Sequence, residues 1–419
     1  MVVASYSLRL SNHFILVGFC LALLCIGKLW VPEPQLSDFL VLGVRGLLAM
    51  MYFFAFLHKC NWEYVSPERS CAAQLVEFQC RDRGITNQQF IQISKRIAIY
   101  GTLFVEALLA VLLVVSYGTL LIVTITLGIC FHFVLALAGI LNFSSVMYAG
   151  LIFLIPYSEI VRASNLIKEN SIVVTCIMCI CILLVWAVTP RHAGVQCPYI
   201  LRWPAWIIQV GFGVFTALVL TGLLFLLQQK PLLFNPALNT IGSQYFLIIQ
   251  LFWLLFLING LSPYLGIKVE FSFAMFSNLR HEPWNHIFIP KSWRLLDLAD
   301  YVSLSTIEGI PAQQEVVKSP IAKLVRNVIC NSEEYMISRR FLYEGLREIS
   351  MVVPSRKICV TYARNMQTHS IECYKGSLSS SEPSPIPLSL FPFVMPLDLN
   401  RPHSEQGSLL SEKESRRLF

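Results

Sequence analysis

Long apolar runs with few polar interruptions recur along the first two thirds of the chain. A helix needs about 20 mostly apolar residues to cross the hydrocarbon core of a bilayer. Windows of that kind lie at 14–31, 39–57, 97–115, 119–138, 140–157, 171–189, 206–227 and 244–263. They predict eight spans. The count falls to seven if the closely spaced windows between 97 and 157, parted by Ser116-Tyr117-Gly118 and by Gly139, include tilted or re-entrant segments. The first run, Phe14 to Val31, is longer than a signal-peptide core and has no small-residue cleavage site before Pro32 and Pro34, so it reads as a span.

After Pro263 the pattern changes to short alternating runs such as Lys357 to Tyr362 and Ser370 to Tyr374, which have the period of strands. Gly376 to Pro387 (GSLSSSEPSPIP) then reads as a Ser/Pro-rich linker. The expected architecture is an all-α polytopic membrane helix bundle of seven to eight helices over 1–291. A small, β-containing soluble region follows at 292–375, and a flexible tail at 376–419.

Composition sharpens this picture. Hydrophobic residues make up 55% of the chain and charged residues 14%, against roughly 25% charged in a soluble domain. That deficit excludes a large water-exposed surface, a disordered chain and a nucleic-acid-binding module. The expected location is a membrane crossed several times, with lipids as partners. The net charge of +7 fits basic residues gathered in cytoplasmic loops. In the eight-span scheme the loop 58–96 carries six cations (Lys59, Arg69, Arg81, Arg83, Lys95, Arg96), whereas 32–38 and 116–118 carry none, which places both termini in the cytoplasm. Many of the 13 cysteines lie within apolar runs, and Cys176, Cys179 and Cys181 are separated only by apolar residues. They read as small hydrophobes rather than zinc or redox ligands. No Walker loop, GxGxxG, GxSxG or HExxH is present.

Charges inside spans are costly and so stand out. The second window contains Arg45, Tyr52, His58 and Lys59 in an otherwise apolar run. Arg45, Tyr52 and Lys59 are successive seven-residue steps and share one helix face. The two cations lie roughly 21 Å apart along the axis, so they belong to opposite leaflets. Each can be a snorkelling anchor with its head at the interface. Lys59 has a second reading as a base, because apolar surroundings disfavour an ammonium and leave an amine able to take a proton. His58 beside it could relay that proton. Glu106 in mid-span is either an interhelical hydrogen-bond donor or a functional carboxyl, and His132 is either an interhelical bridge or a site residue.

The segment RGLLAMMYFFAFLHK resembles the membrane domain of the vitamin K-dependent gamma-glutamyl carboxylases, the HTTM family, through Arg45-Gly46, Tyr52-Phe53 and Lys59 at matching spacing. The continuation His58-Lys59-Cys60-Asn61, Pro67 and Ser70-Cys71-Ala72 is similar to bacterial HTTM proteins, with Cys60 in place of the usual Leu. Gly101 to Glu106 and His132 to Pro156 extend the resemblance, as does Asn259 to Pro290, which contains Ser-Pro-Tyr-Leu-Gly, Met-Phe-Ser-Asn-Leu-Arg and Asn285-His286. It covers roughly residues 39 to 290.

The resemblance implies an intramembrane enzyme in which Lys59 deprotonates reduced vitamin K or another lipid-soluble quinone. Oxygenation would then drive a second reaction, which is carboxylation in the characterised relatives. It further implies Lys59, Glu106 and His132 as catalytic residues, and Tyr52, His58, Asn278, Arg280 and His286 as cofactor-binding ones. No metal is implied. The region after 292 does not resemble the propeptide-gripping domain of the peptide carboxylases. Those enzymes work on the lumenal side, opposite to the side that loop charge assigns to Lys59. The alternative is a non-catalytic multispan carrier or scaffold for a lipid or small molecule. Without the resemblance, the polar and aromatic residues of 259–290 suit an interfacial anchor as well as a flat ligand.

Overall fold

The computed structural model describes residues 12–82, 84–138, 140–188, 205–228 and 242–265, then 273, 277, 279 and 284–293, and the backbone strands 301–308, 336–338, 357–364, 368–375 and 397–398. The tail from 376 falls outside these apart from Leu397–Asp398. The chain divides into two compact units. One contains His13–Leu57 and Pro67–Leu257; the other contains His58–Ser66 and Ile258–Gly407.

The first unit is helical. It comprises α1 (Asn12–Trp30), most of α2 (Glu33–Lys59), α4 (Cys71–Asp82), α5 (Gln88–Val115), α6 (Gly118–Leu137), α7 (Leu141–Phe153), α8 (Tyr157–Glu169), α9 (Ser171–Val188), α10 (Ala205–Gln228) and most of α11 (Ser243–Leu261). Short α3 (Trp62–Val65) belongs to the other unit. Among the described residues five helices are long and apolar enough to cross a membrane: α2, α5, α6, α10 and α11.

A sixth span results if α7 and α8 are counted together, although they are bent by 105° at their junction. Hydropathy alone reads 140–157 as one span, but Pro156 lacks an amide hydrogen to continue the ladder and stands at φ −57°, ψ 142°, outside helical geometry. The helix therefore stops at Phe153 and restarts at Tyr157 in another direction. The described apolar parts of the 14–31 and 171–189 windows, Ile15–Trp30 and Ser171–Leu183, are shorter than the other spans. The seven-to-eight-span expectation is thus reduced to five or six among the described residues.

Helix ends follow local chemistry. Asn87 caps α5 by accepting from the Phe90 amide at 3.0 Å. Only Ser116 and Tyr117 separate α5 from α6, and the turn is completed by Gly118 at φ +52°, a left-handed conformation that a side chain would strain. Inside the unit, the Tyr148 hydroxyl donates to the Ile129 carbonyl at 3.0 Å and lies 3.0 Å from Thr216 Oγ1, which ties α7 to α6 and α10. Phe19 of α1 packs edge-on against Phe252 and Phe256 of α11.

A close contact joins α2 to α11 at two glycines of α2. Trp253 Nε1 donates to the Gly43 carbonyl at 3.1 Å, and its indole lies against Gly46. A Cβ added at Gly46 would stand 2.2–2.5 Å from three indole atoms. A rigid ring cannot yield as a flexible side-chain end can, so Gly46→Ala is expected to destabilise the bundle by about 1–3 kcal/mol. The drop should appear in the melting temperature of the purified protein and be partly recovered by Trp253→Leu in the Gly46→Ala background.

Amphipathic α4 packs beside α5 through ions. Lys95 pairs with Glu77, and Arg81 reaches the same carboxylate at 3.0 Å. The Lys95 hydrogen bond is the main cause holding the Glu77 carboxyl below its ordinary range; partial burial opposes it, and the charges of Lys95 and Arg81 reinforce it. A depressed carboxyl contributes stability that is fully present above its unfolded pKa and is lost as pH falls through the folded value. Hydrogen exchange in 71–82 should therefore accelerate as pH drops below about 4.5, relative to the intrinsic exchange rate at each pH. Glu77→Gln should remove that acid step.

The second unit begins with the last two residues of α2, His58 and Lys59. It continues through α3 and resumes with the end of α11. Its backbone strands are β1 (Tyr301–Glu308), β2 (Met336–Ser338), β3 (Lys357–Arg364), β4 (Thr368–Lys375) and β5 (Leu397–Asp398), in the antiparallel order β4-β3-β1-β2-β5. Cys359 is disulfide-bonded and stands opposite Cys373 in the β3–β4 register.

Candidate functional site

Two groups of buried polar residues contain the residues singled out by sequence, and each lies within one unit. The first surrounds Lys59. Helix α2 ends there because Asn61 caps the next helix, α3, with its Oδ1 accepting from the Tyr64 amide at 2.9 Å. Asn61 Nδ2 donates to the His58 carbonyl at 2.8 Å and to the Ser277 carbonyl, and Oδ1 also accepts from Asn285 Nδ2 at 3.4 Å. Both donors and both acceptor positions of this amide are engaged.

The main chain closes the same join. Asn61 and His286 form an antiparallel bridge, with the Trp62 amide donating to Asn285 at 3.1 Å and the Ile287 amide donating to Cys60 at 2.9 Å. The 58–66 turn and the 284–289 segment, more than 200 residues apart in sequence, are thus stitched together.

Lys59 is 5% exposed, and its Nζ lies 5.9 Å from the centre of the Tyr64 ring. That is the edge of the cation–π range. Beside it, His58 is fully buried, with Nε2 at 3.0 Å from the Gly260 carbonyl. A carbonyl can only accept, so this nitrogen carries a proton. The His58 ring packs 5.4 Å from that of Tyr264, which meets Trp284 and His286 edge-on at 5.9 and 5.4 Å. Trp284 and His286 stack at 6.1 Å.

The second group lies in the helical unit. The Tyr52 hydroxyl is 2.7 Å from His132 Nε2 across the α2–α6 contact, with both side chains buried. His132 therefore makes the interhelical bridge, and Phe131 and Phe143 pack edge-on against its ring. Glu106 of α5, in the same unit, is 5% exposed. Arg45 is also 5% exposed, so it does not snorkel. It donates to the carbonyls of Leu113, Val114 and Ser116, and its guanidinium lies 4.9 Å from the centre of the Tyr117 ring.

The structure thus gathers Lys59, His58 and His286 in one unit, and Tyr52, His132 and Glu106 in the other. Asn278 and Arg280 lie outside the described residues. Sequence reasoning did not single out Tyr264, or the linking role of Asn61. An Asn immediately before Trp-Glu-Tyr-Val was the available signal for the cap. Comparison of the chain with protein-family models, curated proteins and solved structures gives no match.

Proposed function

We propose that this chain is a multi-pass membrane enzyme in which Lys59 takes a proton from a lipid-soluble reduced quinone. Oxygenation of that quinone would be coupled to a second reaction, as the resemblance to the carboxylase family implies. The observation that carries the proposal is the burial of Lys59, at 5% exposure, at the end of an apolar helix of 27 residues. A snorkelling lysine keeps its ammonium in water. This one is buried, with its Nζ 5.9 Å from the centre of the Tyr64 ring.

The residues present fit a flat ring that bears oxygen atoms. The Tyr264 hydroxyl is buried and has no hydrogen-bond partner among the described residues, so a donor is left for a ligand oxygen. Tyr264, Trp284 and His286 offer aromatic surface, and Lys59 offers an amine. When bound, a reduced quinone supplies an acidic hydroxyl and, once ionised, reactivity toward oxygen. The protein's part is to hold that hydroxyl near Lys59, exclude water through the surrounding rings and keep the accepted proton on the amine. Tyr52, His132 and Glu106 form a separate polar group that would carry or balance a proton within the helical unit.

Oxygen uptake by the purified protein supplied with a reduced naphthoquinone tests the proposal. Uptake that depends on Lys59 supports it, and equal rates in wild type and Lys59→Ala overturn it. The rival reading is a lipid carrier or scaffold. It is favoured by the buried Tyr52–His132 hydrogen bond across α2 and α6, which is the behaviour of a structural bridge.

A further inference from the structure

Strands β3 and β4 pair without a break from Lys357 opposite Lys375 to Arg364 opposite Thr368, and this register sets Cys359 against Cys373. Cys359 is disulfide-bonded. Opposed residues of an antiparallel pair have Cα atoms roughly 4.5–5.5 Å apart, inside the span of about 4.4–6.8 Å that a disulfide bridges. The register therefore makes Cys373 its partner. Among the described free cysteines, Cys60 alone belongs to the sheet's unit, and it is buried, where a thiol is shielded from oxidants.

Disulfides form and persist in oxidising compartments and are rare in the cytoplasm. An open sheet has edges with unpaired backbone groups and cannot lie in hydrocarbon, so the sheet stands in water on one side of the membrane. The Lys59 turn, 58–66, belongs to the same compact unit as the sheet, and the Asn61–His286 bridge stitches it to the segment that precedes the strands. Turn and sheet therefore share a side.

The spans agree with this placement. Helices α2 and α11 run parallel: the Gly242 amide, just before α11, donates to Gln35 near the start of α2 at 3.3 Å, Trp253 donates to Gly43 at 3.1 Å, and His58 lies 3.0 Å from the Gly260 carbonyl at their ends. Five alternating crossings by α2, α5, α6, α10 and α11 bring the first and the last out on the same side, as those contacts require.

We infer that the second unit, including the Lys59 turn, faces an oxidising compartment outside the cytoplasm and is stapled there by a Cys359–Cys373 disulfide. The inference is independent of what Lys59 does. It reverses the side that loop charge assigns to this turn, and the structure shows why that count misleads. Lys59 and Lys95 are buried, Lys95 and Arg81 both bind Glu77, and the eight spans on which the sides were counted reduce to five or six among the described residues. Any water-soluble molecule handled at the Lys59 turn then reaches it from outside the cytoplasm.

Thiol labelling of the full-length protein in right-side-out membrane vesicles tests the inference. Free thiols are first blocked with N-ethylmaleimide, which crosses membranes. A membrane-impermeant phosphine and then a membrane-impermeant maleimide follow, and labelled peptides are located by mass spectrometry. Cys359 and Cys373 are expected to gain label only after the phosphine, and in inverted vesicles only after detergent is added. Cys373→Ser should leave Cys359 open to the first block, so that its label is lost. Trp62 in the Lys59 turn is 64% exposed, and without blocking Trp62→Cys should take up impermeant maleimide in right-side-out vesicles in excess of the wild type.

Blocking of Cys359 and Cys373 without any reductant overturns the inference, as does phosphine-dependent label that forms in inverted but not in right-side-out vesicles. Label on Cys359 that persists in Cys373→Ser overturns the pairing. If Trp62→Cys reacts only in inverted vesicles while Cys359 reacts only in right-side-out ones, the shared side of turn and sheet is overturned.

Discussion

Lys59→Arg is expected to lower quinol-dependent oxygen uptake by about 10²–10⁴-fold, the usual contribution of a positioned general base. The substitution is chosen to separate two roles. An interfacial anchor needs a cation on a long stem, and arginine supplies it. A base needs a side chain that can exist as a neutral amine, and arginine cannot do so in a protein. Lys59→Ala should give a loss of similar size, because both variants lack the proton acceptor. Unaltered elution on size exclusion and unaltered melting would show that the bundle is intact.

The two readings differ most sharply for Lys59→Arg. If it keeps wild-type activity while Lys59→Ala loses it, the side chain acts by charge alone and the carrier or scaffold reading prevails. Burial makes that outcome the less expected one. At 5% exposure, a larger guanidinium with five donors must find acceptors that the present enclosure was built around an amine to supply. Rescue of Lys59→Ala by a small primary amine added to the assay would provide independent support for proton transfer.

What could be read from the sequence depended on whether the signal was local. The spans α2, α5, α6, α10 and α11 were legible because sustained apolar runs of about 20 residues have few other uses. The break at Pro156 was harder, since hydropathy sums over a window and is blind to a single missing amide. Lys59 and His58 drew notice because ionisable groups in such runs are rare. The environment that gives them meaning was not visible. It is assembled by the bridge from Asn61 to His286, and its key bonds are to carbonyls of Gly260, Ser277 and His58, groups that every residue type carries. The orientation of the His286 ring likewise depends on the amides of Phe288 and Ile289, which donate to its Nδ1 and which no motif encodes. The partnership of Glu77 with Lys95 crosses 18 residues and two helices, beyond the reach of helical spacing rules. Seven-residue spacing put Arg45 and Lys59 on one face and suggested a common role as anchors, but their surroundings proved different.

Arg45 shows why, and it leads to the largest expected loss of stability. The last carbonyls of a helix have no partner within it, and in a bilayer there is no water to serve instead. Helix α5 ends at Val115, and Arg45 of α2 donates to Leu113, Val114 and Ser116 there. A cation at a helix C-terminus also complements the negative end of the helix dipole. Arg45→Met fills similar volume but leaves these carbonyls without their charged donor, at an expected cost of about 1–3 kcal/mol for each buried acceptor left unsatisfied. Arg45→Lys keeps the charge but replaces a planar fork with a single ammonium that cannot span the same carbonyls, so its loss should be intermediate. Thermal unfolding in detergent should rank wild type above Lys and Lys above Met, with proteolysis of Arg45→Met starting near the 115–118 turn. Unchanged melting in Arg45→Met would remove the capping role. If oxygen uptake nonetheless disappeared in that variant, Arg45 would have to be counted with the site rather than with the scaffold.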